Sequence, residues 1–275
     1  MKSNSLKNLI THFKSSIFSV QETHYRKKGR FTHENFAIFE AIRKKEGGGS
    51  MLGVHVSLKP VLITEHSDNF ELIVVQISVA EKEIRIITGY GPQESWDLDV
   101  KMQFFVALEE ETAKAAFKGI SVIIMGDLNS KLGPTFIKND PNSMSENGTI
   151  LAGIMERHEL IVVNGLKEKC KGLITRQRHT VNSEEKSIID FVIVTKDIVE
   201  DIVGMVIDDE RKHVLTKLVK RKKGLVKIES DHNTIVTELK LKRKPHKSRK
   251  REIYNLKNAE CQKTFTKEMN HTEEL

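Results

Sequence analysis

The stretch Ser121-Val-Ile-Ile-Met-Gly-Asp-Leu-Asn129 places a run of mostly apolar residues directly before a glycine and two polar side chains. A short apolar run bounded by glycine is typical of a strand at the centre of a sheet. Because strand side chains alternate, Asp127 and Asn129 would project to the same side and could contact one bound group. A carboxylate and an amide on a rigid strand end suit the activation of a water molecule. Asp and Asn also form ordinary turns, so a turn is the alternative interpretation.

Length and composition indicate a globular intracellular protein. The 275 residues and 38% hydrophobic content suit one large domain or two modest ones. No segment approaches the roughly 20 apolar residues that span a bilayer, and the N-terminus lacks the apolar core of a secretory signal. Cys170 and Cys261 form no CxxC pair. We therefore expect no membrane partner, no disulfide partner and no zinc site, and the sequence leaves the oligomeric state open.

The net charge of +7 comes from two basic segments, residues 211–227 and 240–251. Each holds eight Lys or Arg and no acidic residue, and the rest of the chain has 29 basic against 38 acidic residues. Concentrated positive charge indicates a polyanion as partner, and the acidic remainder offers carboxylates for a metal or for catalysis. A solvated surface or a nuclear-import tag is the alternative for a basic run. For 240–251 such a tag would imply nuclear residence.

Apolar periodicity predicts an α/β chain up to about residue 240. Helices are predicted over residues 5–16, 97–117 and 148–158. Besides the stretch at 121, strands are predicted over residues 17–20, 36–42, 52–57, 71–79, 84–88, 160–163, 173–175, 187–194, 202–207 and 234–239. The four strands between 36 and 88 would form a β-meander, and residues 211–227 a hairpin or loop. Residues 241–275 are basic and then polar, which indicates a tail outside the fold.

Polar side chains recur at the ends or in the interiors of separate predicted strands. They are Glu22 in QETH, Tyr90 in TGYGP, Asp127 and Asn129 in MGDLN, Asp190 in SIIDFVIV, and Asp231 and His232 in SDH. Taken singly these signals are weak, since a lone Glu after a strand is usually just exposed and a Tyr at a turn usually packs. Asp190 interrupts an apolar strand and needs a partner, because an unpaired buried carboxylate is costly. A positively charged histidine is one such partner.

This set of motifs closely resembles the endonuclease/exonuclease/phosphatase superfamily over roughly residues 6–240. The segments GGGS…GVHVSL, NG…LAGIMERHELIVVNG and ITR…SIIDFVIVT make the chain most similar to the AP-endonuclease-like domain of non-LTR (LINE-type) retrotransposon polyproteins. Residues 250–256 resemble the linker that such polyproteins carry before a reverse transcriptase. The resemblance implies a four-layer α/β sandwich over residues 1–240, with two packed β-sheets flanked by helices, and a linker-like tail over 241–275. It also implies a metal-dependent phosphodiesterase that nicks DNA, with a phosphatase or lipid phosphodiesterase as a lesser alternative.

The resemblance further implies a role for each residue. Glu22 would bind Mg²⁺ or Mn²⁺ with Asp231 as a second ligand, which suits a cation that prefers few carboxylates plus water and phosphate oxygens. Asp127 would activate the attacking water and Asn129 would orient it or bind phosphate. Asp190 would hold His232 in its charged form as a donor to the phosphate, Tyr90 would contact the phosphate, and Thr175 would support the site. Whether Asp127 or His232 is the general base is left open.

The chain departs from the pattern of this superfamily in one motif. Members of the superfamily begin with a strand that carries an Asn in a pattern like LNxxGL. In them this strand lies farther upstream of the metal-binding Glu than the 21 residues that precede Glu22 in this sequence. We therefore expect this first strand and its asparagine to be missing, which would leave neighbouring strands with unpaired backbone groups. A catalytically inactive retrotransposon remnant that at most binds nucleic acid is the alternative function.

Overall fold

The structure is a computed structural model that describes residues 3–43, 48–179, 183–221 and 224–241. The helices of the described chain are α1 (Ser3–His12), α2 (Leu98–Phe117), α3 (Glu146–Arg157) and α4 (Lys196–Val199). The strands are β1 (Ile17–Val20), β2 (Phe36–Ala41), β3 (Ser50–His55), β4 (Val61–His66), β5 (Glu71–Val79), β6 (Lys82–Tyr90), β7 (Ser121–Asp127), β8 (Leu160–Val162), β9 (Cys170–Lys171), β10 (Arg176–His179), β11 (Glu184–Ser187), β12 (Asp190–Thr195), β13 (Ile202–Ile207), β14 (Thr216–Arg221), β15 (Gly224–Glu229) and β16 (Ile235–Leu239). Except for Lys240 and Leu241, the basic segment 240–251 and the predicted tail lie outside the described residues.

A six-stranded sheet with the order β4-β5-β6-β7-β12-β8 forms the centre of the fold. Neighbouring strands are antiparallel except for β6 and β7, which are parallel because α2 connects them as a crossover. Alternate residues of each strand serve opposite faces. Leu72 and Val74 with Phe104 and Leu108 of α2 form a core on the helical face. The predicted helix over 97–117 and the predicted buried strand at 121 are therefore confirmed.

The opposite face of the central sheet is covered by two three-stranded sheets, β1-β3-β2 and β16-β13-β9. Ile73 and Ile86 of the central sheet pack there against Leu52 of β3 and Met205 of β13. Helix α1 packs on the far side of the β1-β3-β2 sheet, where Leu6 and Ile10 join Phe18, Val20 and Met51 in a third apolar cluster. Helices therefore flank two sheet layers, which confirms the predicted four-layer α/β sandwich.

The two smaller sheets each end in an edge strand. Within the described residues β1 pairs only with β3 and β16 only with β13. Ile17 of β1 and Ile235 and Leu239 of β16 nevertheless contribute to the same core cluster. Within the described residues the second layer is thus divided into two sheets.

Some predicted elements differ from the structure. The β-meander was wrong, because β2 and β3 belong to one layer and β4, β5 and β6 to the other. Strand β4 escaped prediction because it lies at a sheet edge with its apolar side chains exposed. Residues 173–175 form a loop, where the backbone N–H groups of Leu173 and Ile174 donate to the Asp209 carboxylate at 2.9 Å. Strands β14 and β15 pair in antiparallel fashion, from Thr216 opposite Glu229 to Arg221 opposite Gly224.

Two further observations concern partners. None of the described helices combines the length and the apolar character that crossing a bilayer requires. Cys170 is a free thiol, and Cys261 lies outside the described residues.

Candidate active site

Three neighbouring strands of the central sheet bring three site residues into one row. Asp127, the last residue of β7, lies opposite Tyr90 of the parallel strand β6 and opposite Asp190 of the antiparallel strand β12. Tyr90 ends its strand and Asp190 begins its own. Side chains that are far apart in sequence therefore meet at one rim of the sheet because the strand registers align them.

Close backbone packing at this rim requires glycine at two positions. A Cβ on Gly126, which has a φ of +133°, would lie 2.4 Å from the carbonyl oxygen of Gly89. A Cβ on Gly91 would lie 2.2 Å from the carbonyl oxygen of Leu128. The Gly91 N–H donates to the carbonyl oxygen of Asp127 at 2.7 Å. The glycines in TGYGP and MGDLN thus allow the two strand ends to touch.

Asp127 and Asn129 form a turn. The backbone N–H of Asn129, whose φ is +47°, donates to Asp127 Oδ1 at 3.0 Å. The Asn129 side-chain Nδ2 donates to the Gly91 carbonyl oxygen at 2.9 Å, and Asn147 Nδ2 reaches the carbonyl oxygens of Pro92 and Asn129 at 2.7 and 3.0 Å. The prediction of strand geometry through residue 129 was therefore wrong, and the alternative of a turn is correct.

His232 lies between two carboxylates. Its Nδ1 is 2.9 Å from Asp190 Oδ2 and its Nε2 is 3.8 Å from Asp127 Oδ2. Burial by itself lowers the pKa of His232, but the negative charges of Asp190, Asp127 and Asp231 outweigh it and raise the pKa to about 10. Burial and the charge of Asp190 raise the pKa of Asp127, against the opposing charge of His232. The partner predicted for Asp190, a charged histidine, is present.

Backbone contacts fix the position of Asp190. The fully buried Thr175 accepts hydrogen bonds through Oγ1 from the N–H groups of Ile189 and Asp190 at 3.0 and 3.1 Å. Asn164 Nδ2 donates to the Asp190 carbonyl oxygen at 3.0 Å, and its Oδ1 accepts from the Val192 N–H at 3.1 Å. Thr175 thus lies where a supporting residue is expected, and Asn164 is a second one that the sequence reasoning missed.

Glu22 and Tyr90 form a second pair of contacting residues. The Tyr90 hydroxyl donates to Glu22 Oε1 at 2.7 Å. Burial raises the pKa of Tyr90 well above its ordinary value of 10, and the neighbouring carboxylates of Glu22 and Asp127 raise it further. The hydroxyl therefore keeps its proton at any physiological pH. The Glu22 side chain, at 44% exposure, remains accessible from solvent.

Asp231 is paired with Arg176, whose Nε donates to Asp231 Oδ2 at 2.9 Å. Burial alone would raise the pKa of Asp231, but the positive charges of His232 and Arg176 lower it below its ordinary value. Sequence reasoning missed Arg176, although it follows Thr175 directly in the ITR motif. Its backbone also forms an isolated antiparallel bridge with His232.

Comparison with known proteins assigns the family. Residues 84–236, more than half of the chain, match the family model described as endonuclease-reverse transcriptase. The chain belongs to this family. A search of curated proteins gives no match.

Solved structures agree with the family assignment. The endonuclease domain of TRAS1, a telomere-specific non-LTR retrotransposon, superposes with a TM-score of 0.62 at 18% identity over 87% of this chain and 93% of that one. The AP endonuclease LMAP from Leishmania major gives 0.66 at 11% identity over 87% and 82%. The 3′ phosphatase NExo from Neisseria gives 0.61 at 15% identity over 86% and 94%. The protein is thus an endonuclease/exonuclease/phosphatase superfamily member that resembles a non-LTR retrotransposon endonuclease.

Two sets of side chains in this endonuclease-reverse transcriptase family member fit a divalent cation. Ligand atoms of Asp127, Asp190 and His232 lie within 4.8 Å of one another. Protonated His232 has no lone pair to offer, however, so this set would bind a metal only after losing a proton. The accessible Glu22 carboxylate offers oxygen ligands, the type that Mg²⁺ prefers. The site thus offers carboxylate oxygens that could hold a divalent cation.

Proposed function

We propose that this protein is a divalent-metal-dependent DNA endonuclease that cuts one strand of a duplex, as a retrotransposon endonuclease does. The family assignment supports hydrolysis of phosphodiesters in general. The proposal of an endonuclease is carried by the row of Tyr90, Asp127 and Asp190 with His232 beside it. This arrangement combines a proton acceptor, Asp127, and two donors, His232 and Tyr90, at one rim of the sheet. Residues 1–240 would be the nuclease domain, and 241–275 a basic and then polar tail that resembles the linker before a reverse transcriptase.

Asp127 is the proposed general base. His232, with its pKa raised to about 10, is already protonated at neutral pH and so serves as a donor rather than as a base. Burial raises the pKa of Asp127 to about 8, so the carboxyl must lose its proton before it acts as a base, and once ionised it accepts a proton from water more readily than an ordinary aspartate. Asn129 uses its Nδ2 to hold Gly91, which leaves its Oδ1 to orient that water.

His232 and Tyr90 are the proposed donors to the phosphate. Asp190 binds Nδ1 of the imidazolium, so the Nε2–H points toward the rim where negative charge develops on a non-bridging oxygen. The Tyr90 hydroxyl, which keeps its proton, can shift from Glu22 to a phosphate oxygen. Glu22, with Asp231 as the predicted second ligand, would hold Mg²⁺ or Mn²⁺, which when bound neutralises phosphate charge.

The hairpin β14-β15 is the proposed contact with the DNA backbone. It carries most of the basic residues of 211–227 and ends at Glu229, two residues before Asp231. The Ser230 N–H donates to the Leu215 carbonyl oxygen at 2.8 Å, which closes the base of the hairpin next to the SDH motif. A basic element joined directly to the site suits a polyanionic substrate.

A supercoiled-plasmid nicking assay tests the proposal. With Mg²⁺ present and EDTA as the blank, we expect Asp127→Asn to lower the nicking rate about 10²- to 10⁴-fold, since it removes the base. Asp201→Asn is the matched control, because Asp201 is equally buried but pairs with Lys82 at the opposite rim, at 2.7 Å. Equal rates for the Asp127 variant and wild type would contradict the proposal.

A nucleic-acid-binding protein without catalysis is the second candidate. The division of the second layer into two sheets, with β1 and β16 as edges, favours it. In that case folded wild-type protein would bind DNA with a steep dependence on salt but would not nick the plasmid with Mg²⁺ or Mn²⁺.

A further inference from the structure

The segment that follows Glu22 rests on two glycines from another part of the chain. The N–H of Thr23 donates to the Gly49 carbonyl oxygen and the N–H of His24 to the Gly48 carbonyl oxygen, both at 3.0 Å. Glu22 itself has a φ of +52°, so its backbone adopts a conformation that non-glycine residues rarely take. The position of the Glu22 carboxylate therefore depends on where Gly48 and Gly49 are held.

Glu71 holds these glycines. Its Oε1 accepts a hydrogen bond from the Gly49 N–H at 3.0 Å. A Cβ on Gly48 would lie 2.4 Å from that same Oε1, and a Cβ on Gly49 would lie 2.6 Å from Thr23 Oγ1. Both glycines have positive φ values, +69° and +90°. The two residues thus fit closely between the Glu71 carboxylate on one side and the Glu22 segment on the other.

Arg43 and Trp96 complete the surroundings of Glu71. Arg43 Nη2 donates a hydrogen bond to Oε2 of the fully buried Glu71 carboxylate at 3.0 Å, and Arg43 Nε lies 2.8 Å from Oε1 as an ion-pair contact without hydrogen-bond geometry. The Arg43 guanidinium lies 4.6 Å from the ring centroid of Trp96, which belongs to the loop after Tyr90. Glu71 also lies opposite Tyr90 in the β5-β6 register. One buried ion pair therefore lies beside both the glycines that support the Glu22 segment and the strand that carries Tyr90, and Glu22 and Tyr90 are joined by a hydrogen bond at the rim.

Burying a carboxylate and a guanidinium contributes little net stability, because desolvation offsets their attraction. The charge-assisted hydrogen bond from Arg43 nevertheless orients the Glu71 carboxylate. Groups that orient a metal ligand typically change metal affinity about 10- to 100-fold when they are removed.

We propose that Glu71, fixed by Arg43, is a positioning residue that holds the Glu22 carboxylate in place for the metal through Gly48 and Gly49. The inference rests on the proposed function only in the identity of the metal ligand. Glu71 touches neither substrate nor metal, and acts through the backbone of two glycines.

The test compares Glu71→Gln with Glu111→Gln in the full chain. Glu111 is the matched control, since it is buried beside Arg85, 3.6 Å away, and Arg85 lies five residues along β6 from Tyr90. Amide hydrogen exchange in the metal-free proteins is the first readout. We expect faster exchange at Thr23 and His24 in the Glu71 variant and wild-type exchange at both amides in the control.

Metal affinity is the second readout. Trp96 is the single tryptophan of the chain, so a Mn²⁺ titration followed by its fluorescence reports directly on this region. We expect the Mn²⁺ dissociation constant to rise about 10- to 100-fold in the Glu71 variant and to stay at the wild-type value in the control, with both variants melting at similar temperatures.

The outcomes separate the inference from the proposed function. Unchanged exchange at Thr23 and His24 in the Glu71 variant, or an equal increase in the Glu111 variant, would overturn the inference even if the wild type nicks DNA. Altered exchange together with a wild-type protein that binds Mn²⁺ but leaves the plasmid intact would support the inference and reject the endonuclease.

Discussion

His232 shows how one side chain acquires its chemistry from its neighbours. Asp190 and Asp127 approach it from two strands and Asp231 precedes it in the chain, while burial opposes their effect on its pKa. The raised pKa is a property of the metal-free protein, and it makes the imidazolium the resting form at neutral pH. The assignment of base and donor depends on this one proton.

We expect the His232 imidazole in the metal-free protein to titrate near pH 10. In Asp190→Asn the pKa should fall toward the ordinary value of 6.5, because the largest favourable charge is lost while burial still disfavours the cation. Nitrogen chemical shifts of the imidazole across a pH series give both values. A pKa near 6.5 in the wild type would remove the argument that His232 is a donor, and Asp201→Asn should leave the titration unchanged.

The sequence contains the site residues but not all of their partners. Asp190 was predictable because a charged residue inside an apolar strand demands a partner, and histidine was a reasonable one. The supporting residues were not predicted, although they lie in the quoted segments: Arg176 in ITR, and Asn147 and Asn164 in NG…LAGIMERHELIVVNG. Polar side chains that bind backbone atoms or distant carboxylates look like ordinary surface residues in a sequence, because only the tertiary structure determines which groups become their neighbours.

Among the elements, strands formed by continuous apolar runs were predicted best. The bounds of β5 and β13 are those expected, since both are apolar runs with clear ends. Strand β4 and the loop at 173–175 were not, because one is an exposed edge and the other is an apolar stretch whose backbone bonds a carboxylate. Which strands share a layer was also beyond the sequence, since hairpin-like spacing does not distinguish a meander from two stacked sheets.

The contact between the ends of β6 and β7 makes a prediction at the scale of elements. Gly91→Ala would place a Cβ against the Leu128 carbonyl oxygen, so the strand ends must separate at a cost of about 1–3 kcal/mol. We expect a loss of stability in urea unfolding and a lower nicking rate, because Asp127 and Tyr90 no longer align.

Gly119→Ala is the control for this variant. Gly119 has a φ of +64°, and a Cβ there meets no atom within 4 Å. The substitution should cost about 1–2 kcal/mol of backbone strain and leave nicking at the wild-type rate for the folded fraction. Equal nicking by both variants would show that the contact at Gly91 is not needed by the site.

At the scale of the whole molecule, basic residues suited to DNA binding and acidic residues of the candidate active site lie in different parts of the chain. The described body carries the acidic residues of the site, and the sequence of strands β14 and β15, the second of which ends two residues before Asp231, is rich in Lys and Arg. The opposite rim, where β7 begins and β12 ends, carries Lys118 and Lys196. If DNA lies across the site, basic residues at the two rims should contribute very differently to its affinity.

We therefore expect the double variant Lys220→Gln/Arg221→Gln on the hairpin to weaken DNA binding. The double variant Lys118→Gln/Lys196→Gln removes the same charge and should leave DNA binding nearly unchanged. Each lost phosphate contact reduces the slope of log affinity against log salt by about 0.9, so the hairpin pair should flatten the slope by up to about 1.8. Fluorescence anisotropy with a short duplex over a series of salt concentrations measures both quantities. Equal weakening by the two pairs would mean that net charge alone, and not the hairpin, recruits DNA.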